Sequence, residues 1–353
     1  MARVRELGAS GVRVSAICLG TMTFGDQTPE SDAFAQMDLA LGRGVNFFDT
    51  AEMYASPPKA ETQGETERVI GRWLRQSGAR DKVVLASKVA GRTRDMLWLR
   101  PEHELDAGQV RLTRKQIDFA LEQSLKRLGT DYIDLYQTHW PDRLYRGFGF
   151  QFYRDYKEDF VAFEETLEAL ARHVEKGTIR AIGVSNESPW GVMRYLTAAQ
   201  KNGWPRIASI QNAYNLVNRR FETGGLAEIA LREHVGLLAY SPLAQGCLTG
   251  KYLGGALPAG TRKALYDRLQ RYEGPGAETA LAAYVDLARQ LGVTPVQLAL
   301  KFCDTRPWTT STIVGASNVR QLEEDLAAFD VAWTEEMETR VNAIQTAHPD
   351  PCP

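Results

Sequence analysis

Short apolar runs alternate with longer amphipathic stretches along this chain, and the alternation predicts its elements. Residues 4–7 and 12–15 flank Gly8-Ala9-Ser10-Gly11, a turn-forming cluster, so the chain is expected to begin with a β-hairpin that lids one end of a core. Residues 16–19 form the next short apolar run, and residues 32–42 follow with Phe34, Met37, Leu39 and Leu41 in a helical apolar set. The same order then repeats. Strands are predicted at 45–48, 82–87, 131–137, 179–184, 207–210, 235–239 and 310–314, with helices at 66–76, 114–128, 163–176, 190–200 and 226–234 between them.

Eight short strands separated by helices argue for parallel pairing, because each return to the same edge of a sheet needs a crossover. The simplest closure is an α/β fold, a (β/α)8 TIM barrel with an N-terminal β-hairpin, formed as a single domain over residues 1–353. The competing open doubly wound sheet carries a glycine-rich fingerprint after its first strand. Gly20-Thr21-Met22-Thr23-Phe24-Gly25 does not spell it. Three connections are long, at 90–112, 139–161 and 241–275. All leave the carboxyl ends of predicted strands, the C-terminal face where barrel enzymes build their sites.

Composition narrows the classes. Hydrophobic residues make up 44% and charged residues 24%, and no apolar run reaches the roughly 18 residues of a membrane helix, so no membrane partner is expected. A formal net charge of -2, a pI near 6.3 and basic residues spread among acids give no field for a polyanion, so no nucleic acid is expected either. Cys18, Cys247, Cys303 and Cys352 lie far apart, which suggests neither a disulfide framework nor a zinc knuckle but reduced thiols in a cytoplasmic setting. Residues 1–10 lack the apolar segment of a secretion signal.

The chemistry gathers at strand ends. The second barrel strand ends in Asp49 with Tyr54 just beyond, the third in Lys88 and the fourth in His139, so barrel topology brings an acid, a phenol, a cation and an imidazole to one mouth. Such a set suits donation of a proton to a carbonyl oxygen as negative charge develops there. A phenol with a pKa near 10 is a weak acid, and the Lys88 ammonium is expected to bring Tyr54 down. Asp49 is placed as the lysine's counter-charge, and His139 to orient the carbonyl or share the proton. Singly, each residue has an ordinary explanation as a cap, a surface cation, a loop aromatic or a hydrogen-bonded strand-end histidine. A metal-dependent hydrolase is the rival enzyme class, but His103, His139, His173, His234 and His348 form no paired-ligand motif.

Asp49-x-Ala51-x-x-Tyr54, Ser87-Lys88 after a strand, Asp131-Tyr-Ile-Asp-Leu-Tyr-Gln-Thr-His139 and Ile182-Gly-Val-Ser-Asn186 together resemble the aldo-keto reductases over nearly the whole chain. Gly20-Thr-Met-Thr-Phe-Gly25, Ala51-Glu-Met-Tyr54, Glu61-Thr-Gln-Gly64, Val192-Met-Arg-Tyr-Leu196 and Leu248-Thr-Gly-Lys-Tyr252 look like the bacterial Tas-like branch of that family. The resemblance implies a barrel that binds a nicotinamide dinucleotide without a Rossmann fold and passes hydride to an aldehyde or ketone. It makes Tyr54 the proton donor, Lys88 and Asp49 its tuning pair and His139 the substrate-orienting group. Channel-associated relatives carry asparagine where this chain has His139, which favours turnover over an alternative role as a nucleotide sensor that regulates a partner.

The resemblance also carries cofactor positions. Ser185, Asn186 and Gln211 match the residues that hold the carboxamide, Tyr240 the aromatic under the nicotinamide ring, and Gly20, Thr21, Met22, Gln27 and Asp49 lie in segments that border it. Ser241, Pro242, Leu243, Gln245, Gly246, Leu248 and Lys251 resemble the loop that folds over the pyrophosphate, with Arg262 reaching it. Gly315, Ser317, Gln321 and Glu324 match the adenosine-phosphate segment, at a helix start where anions are favoured. Asp325 departs from the asparagine common in relatives. Ser317 and Arg320 as donors to a 2'-phosphate favour NADPH over NADH. Met22, Phe24, Tyr54 and Trp140, with the aromatic-rich loop from Tyr145 to Tyr156, are expected to line a pocket for a small-molecule carbonyl substrate.

Overall fold

The structure, a computed structural model, describes residues 3–145 and 158–353. Strands β1 (Val4–Glu6) and β2 (Arg13–Ser15) pair antiparallel as the expected hairpin. Its turn needs glycine: Gly8 has φ +56°, and a Cβ there would stand 2.2 Å from the Ala208 carbonyl oxygen.

Eight parallel strands then close into a barrel. They are β3 (Ile17–Gly20), β4 (Phe47–Asp49), β5 (Val84–Val89), β6 (Ile133–Thr138), β7 (Ile179–Ser185), β8 (Ile207–Ala213), β9 (Gly236–Tyr240) and β10 (Thr309–Val314), and β10 pairs back onto β3. The helices α1 (Glu30–Gly42), α2 (Glu65–Ser77), α3 (Arg114–Leu128), α4 (Phe163–Glu175), α5 (Pro189–Asn202) and α7 (Leu226–Glu233) fall where the helical pattern put them, and the short α6 (Arg220–Thr223) precedes the last of these. Three strands start two residues later than expected, β6 at Ile133 rather than 131 among them. Val45 and Asn46 lead into β4, and residues 80–82 form a helical turn before β5.

The alternation of side chains along the strands divides the core in two. Cys18, Phe47, Ala86, Leu135, Ala181, Ala208, Leu238 and Ile313 point inward and pack with Leu7 and Val14 of the hairpin, which plugs the barrel at that end. Leu19, Phe48, Leu85, Tyr136, Ile182, Ile210 and Val314 point outward into the larger cluster beneath the helices. Arg3 and Arg5 tie the hairpin to Asp304 near the end of α10 (Pro295–Thr305), and Arg5 also donates to the Thr309 carbonyl at 2.8 Å.

The connection 241–275 contains helical turns at Ala244–Thr249, Leu253–Gly255 and Gln270–Glu273 with α8 (Arg262–Tyr266) between them. After it come α9 (Ala277–Gln290) and α10, neither anticipated above, and after β10 come α11 (Val319–Ala327) and α12 (Glu335–Ala347). A capping box starts α10: the Thr294 hydroxyl accepts from the Gln297 N–H at 3.1 Å, and the Thr294 N–H is returned to Gln297 Oε1 at 2.8 Å. No helix among the described residues is long and apolar enough to cross a membrane.

Candidate active site

Two residues beyond the inward apolar layer, three successive strands present a polar residue to the same lumen. Asp49 follows Phe47 on β4, Lys88 follows Ala86 on β5 and Gln137 follows Leu135 on β6, so strand parity alone places all three at the carboxyl-end mouth. Gly183 on β7 makes room for this layer, since a Cβ there would lie 2.9 Å from Gln137 Cγ.

Lys88 is fully buried, and its ammonium donates to Asp49 Oδ2 at 2.6 Å and to the Thr50 carbonyl at 2.8 Å. Asp49 Oδ1 accepts from Gln211 Nε2 at 2.9 Å and from Gln137 Nε2 at 3.4 Å, so both carboxylate oxygens are engaged. Burial, the largest single influence, acts to lower the Lys88 pKa, but Asp49, through its charge and its hydrogen bond, together with Tyr54 and Cys18 leaves the ammonium above its ordinary value. Lys88 Nζ stands 5.0 Å from the centroid of the Tyr54 ring, and the His139 ring meets that ring edge to face at 5.6 Å between centroids.

The expected direction for the phenol is corrected here. Burial raises the Tyr54 pKa more than Lys88 lowers it, and Asp49 adds to the rise, so the phenol lies above its ordinary value. Burial first, and Lys88 second, hold His139 well below its ordinary value. At neutral pH the site therefore contains a neutral phenol, a cation and a neutral imidazole whose buried Nδ1 has no hydrogen-bond partner among the described residues.

A second buried layer fixes the two loops that carry this set. Glu52, 1% exposed, accepts the Ala90 N–H at 2.7 Å and holds Arg100, 4% exposed, through bonds of 2.6 and 2.8 Å. Its own N–H reaches the Lys88 carbonyl at 3.2 Å. The ends of β4 and β5 are thus clamped just where Tyr54 and Lys88 must face each other. Glu52, Arg100 and Gln137 were not singled out from the sequence; Glu52 stands inside a quoted motif, and its strand-end position was the available signal.

The remaining expected residues spread around the same mouth. Thr21 binds the Asp49 carbonyl through its N–H at 3.1 Å and its hydroxyl at 2.8 Å, while Met22 and Gln27 both bond the backbone of Ser56, through the Met22 carbonyl and Gln27 Nε2. Gly20 ends β3 against Ile313. Asn186 Nδ2 donates to the His139 carbonyl at 2.8 Å and to Ser185 Oγ at 3.1 Å, Ser185 Oγ donates to the Gln211 carbonyl at 2.7 Å, and Tyr240 OH donates to Asn186 Oδ1 at 2.7 Å. Strands β7, β8 and β9 are laced together there.

Ser241, Ala244, Gln245 and Gly246 have φ of 53°, 50°, 56° and 94°; the Ala244 and Gly246 N–H groups bond the Ser241 and Leu243 carbonyls at 2.9 and 2.8 Å, and the buried Pro242, Cys247 and Leu248 and the half-buried Leu243 anchor the loop. A Cβ on Gly246 would lie 2.8 Å from Lys251 Nζ, so the lysine's charged end rests on this loop. The half-buried Arg262 is close enough to Tyr54 to affect its titration. Beyond β10, Gly315 and Ser317 are exposed, Gln321 Oε1 accepts the Ser317 N–H at 3.0 Å, and Arg320 pairs with Glu324 at 3.1 Å. Asp325 is buried, and burial, with Glu324 adding and Lys251 opposing, lifts its carboxyl to about 7.

On the substrate side, Trp140 packs against His139 at 5.0 Å between ring centroids and donates to the Arg92 carbonyl at 3.0 Å. Phe24 is fully buried in the cluster beneath the helices, which takes its side chain out of the expected pocket wall. Of the loop from Tyr145 to Tyr156, only Tyr145 lies within the described residues. Among the described residues no group of three or more His, Cys, Asp or Glu is placed to hold a metal ion.

The model of the aldo/keto reductase family matches residues 16–346. The chain belongs to the aldo/keto reductase family. This aldo/keto reductase is 47% identical to Protein tas of Escherichia coli (strain K12) over 346 residues, 98% of each chain, which places it in the Tas-like branch. It is 35% identical to the uncharacterized oxidoreductase YrpG of Bacillus subtilis (strain 168), covering 96% of this chain and 94% of that one. It is also 31% identical to the L-glyceraldehyde 3-phosphate reductase of Escherichia coli (strain K12), covering 92% and 87%. The aldo/keto reductase is accordingly an oxidoreductase.

Proposed function

We propose that this aldo/keto reductase reduces aldehydes or ketones to alcohols with NADPH, in the cytoplasm and as a single domain, and that Tyr54 supplies the proton. The observation that carries the reading is the buried chain from Asp49 through the Lys88 ammonium to the Tyr54 ring, with the His139 ring against the same phenol. When bound, a nicotinamide dinucleotide supplies the hydride.

The chain's own residues account for the rest. The Tyr54 phenol holds its proton at neutral pH, and Lys88 offsets the negative charge that appears on its oxygen as the proton leaves. Asp49, held on its other oxygen by Gln211, keeps the ammonium charged and fixed. His139, neutral and with no partner for Nδ1 among the described residues, orients the substrate carbonyl without competing as an acid.

The residues present fit the cofactor. The Lys251 ammonium against the 241–246 loop suits a pyrophosphate, Tyr240 offers a ring beside the amide of Asn186, and exposed donors at Ser317 and Arg320 suit a 2'-phosphate. The sensing alternative gains no support from a site whose phenol is kept protonated beside a lysine. The test is a multi-turnover assay with NADPH and NADH against a panel of aldehydes. Steady NADPH consumption is expected, whereas one turnover followed by tight retention of the nucleotide would replace the reductase with a sensor.

A further inference from the structure

Ser87 precedes Lys88 on β5 and has no part in the reaction chain from Asp49 to Tyr54. Lys88 points into the lumen, so the side chain of Ser87 points out through the barrel wall, where it is fully buried. Its hydroxyl donates to Glu67 Oε1 at 2.6 Å. Glu67, in the first turn of α2, is also fully buried, and its Oε2 accepts from Arg127 Nε at 2.6 Å. Arg127 lies in the last turn of α3, so the acid and the base each occupy the helix end that suits its charge.

The two helices are shaped around this pair. A Cβ on Gly64 would stand 2.4 Å from Arg127 Cδ, and one on Gly71 would stand 2.5 Å from the Arg127 carbonyl oxygen. Glu52 makes a matching arrangement on the other side of Lys88: it takes the Ala90 N–H and pairs with Arg100. Tyr136, opposite Ser87 on β6, feels all four of these charges. Each acid thus divides its carboxylate between β5 and an arginine, and Lys88 is bracketed by the two grips.

A buried ion pair is an uneconomical way to hold two helices together. Apolar residues of similar volume commonly serve stability as well or better. What they cannot supply is an acceptor for the Ser87 hydroxyl.

We propose that Glu67, acting through Ser87, is a positioning residue for the proton transfer: it fixes β5 at Lys88, so that the ammonium keeps its place between Asp49 and the Tyr54 ring. Glu67 touches neither substrate nor cofactor in this role. The inference rests on the carbonyl-reductase reading of the Tyr54 site and extends it to a residue outside the barrel wall.

Two variants separate positioning from stability. Ser87→Ala cuts the link and leaves the Glu67 to Arg127 pair in place. The triple variant Ser87→Ala, Glu67→Leu, Arg127→Met removes the link and both charges and leaves an apolar contact. Ser87→Ala should melt below the wild type, because it strands a buried acceptor, and the triple variant should recover part of that loss. With an aldehyde that the wild type reduces, kcat is expected to fall roughly tenfold in both, with KM for the aldehyde within about twofold. A kcat that recovers in the triple variant along with the melting temperature, or that holds within about twofold in Ser87→Ala, overturns the proposal and leaves the reductase reading standing.

If the wild type reduces no aldehyde, the reductase reading is what fails. Crystal structures of the wild type and the triple variant then judge the grip on Lys88 without any assay. A longer separation between Lys88 Nζ and Asp49 Oδ2 in the variant, or a Lys88 side chain in more than one position, supports the proposal. A Lys88 that superimposes on the wild type overturns it.

Discussion

Lys88 Nζ lies 5.0 Å from the centroid of the Tyr54 ring, yet the phenol's pKa sits above its ordinary value, because burial costs the phenolate more than the ammonium returns. The lysine therefore limits the rise in a site that would otherwise resist ionisation still more. This defines the phenol as a stored proton.

Removing that proton is the first prediction. Tyr54→Phe keeps the ring between Lys88 and His139 but has nothing to donate, so kcat for carbonyl reduction should fall by roughly 10²- to 10⁴-fold. NADPH affinity, followed by quenching of protein fluorescence, should change little. Retained turnover would remove Tyr54 from the mechanism.

The pH profile follows from the directions of the shifts. His139 titrates below its ordinary 6.5 and Tyr54 above its ordinary 10.0, so kcat/KM for reduction should stay flat between those values. Initial rates in constant-ionic-strength buffers check this. An inflection near 6.5 that disappears in His139→Asn would show that the imidazole is not buried as described.

Glu52→Gln tests the clamp behind the site. It leaves the Arg100 charge buried without its partner, and such a change costs about 3 to 5 kcal/mol of stability. Chemical denaturation should show it. Glu52→Gln combined with Arg100→Met should recover part of the loss, since the stranded charge is gone.

Asp325 gives a pH-dependent stability with an unusual sign for a carboxyl group. Its folded pKa of about 7 lies above the value of about 3.9 for a free aspartate, so the folded state keeps a proton that the unfolded chain has lost. Stability from this group is full below the unfolded pKa and declines as pH rises toward 7, by at most about 1.4 kcal/mol per unit. Asp325→Asn should therefore melt higher than the wild type at pH 8 without cofactor, with the gain shrinking at pH 5. An equal difference at both pH values would contradict the shift.

Periodicity made the barrel legible because each strand is only three to seven residues long and each switches cleanly from inward to outward packing. The convergence of Asp49, Lys88 and His139 was legible for the same reason, since topology puts strand ends together whatever their spacing in the chain. The direction of the Tyr54 shift was not, because neighbours can be guessed from motifs but burial comes from the packed whole. Phe24 illustrates the same gap: an aromatic after a strand end reads equally as pocket wall or core, and here the core takes it. The helices α9 and α10 were missed because residues 276–309 were assigned no element, although Thr294-Pro295-Val296-Gln297 spells the start of one of them.

The hairpin that plugs the barrel has a consequence for the order in which the molecule can be completed. Arg3 and Arg5 of the hairpin segment find Asp304 and the Thr309 carbonyl only about 300 residues further along the chain. Their seal is a contact of very long sequence separation, which closes slowly and late. During synthesis the apolar faces of Leu7 and Val14 gain their barrel partners strand by strand, from Cys18 to Ile313, and the plug is complete only with the last of them.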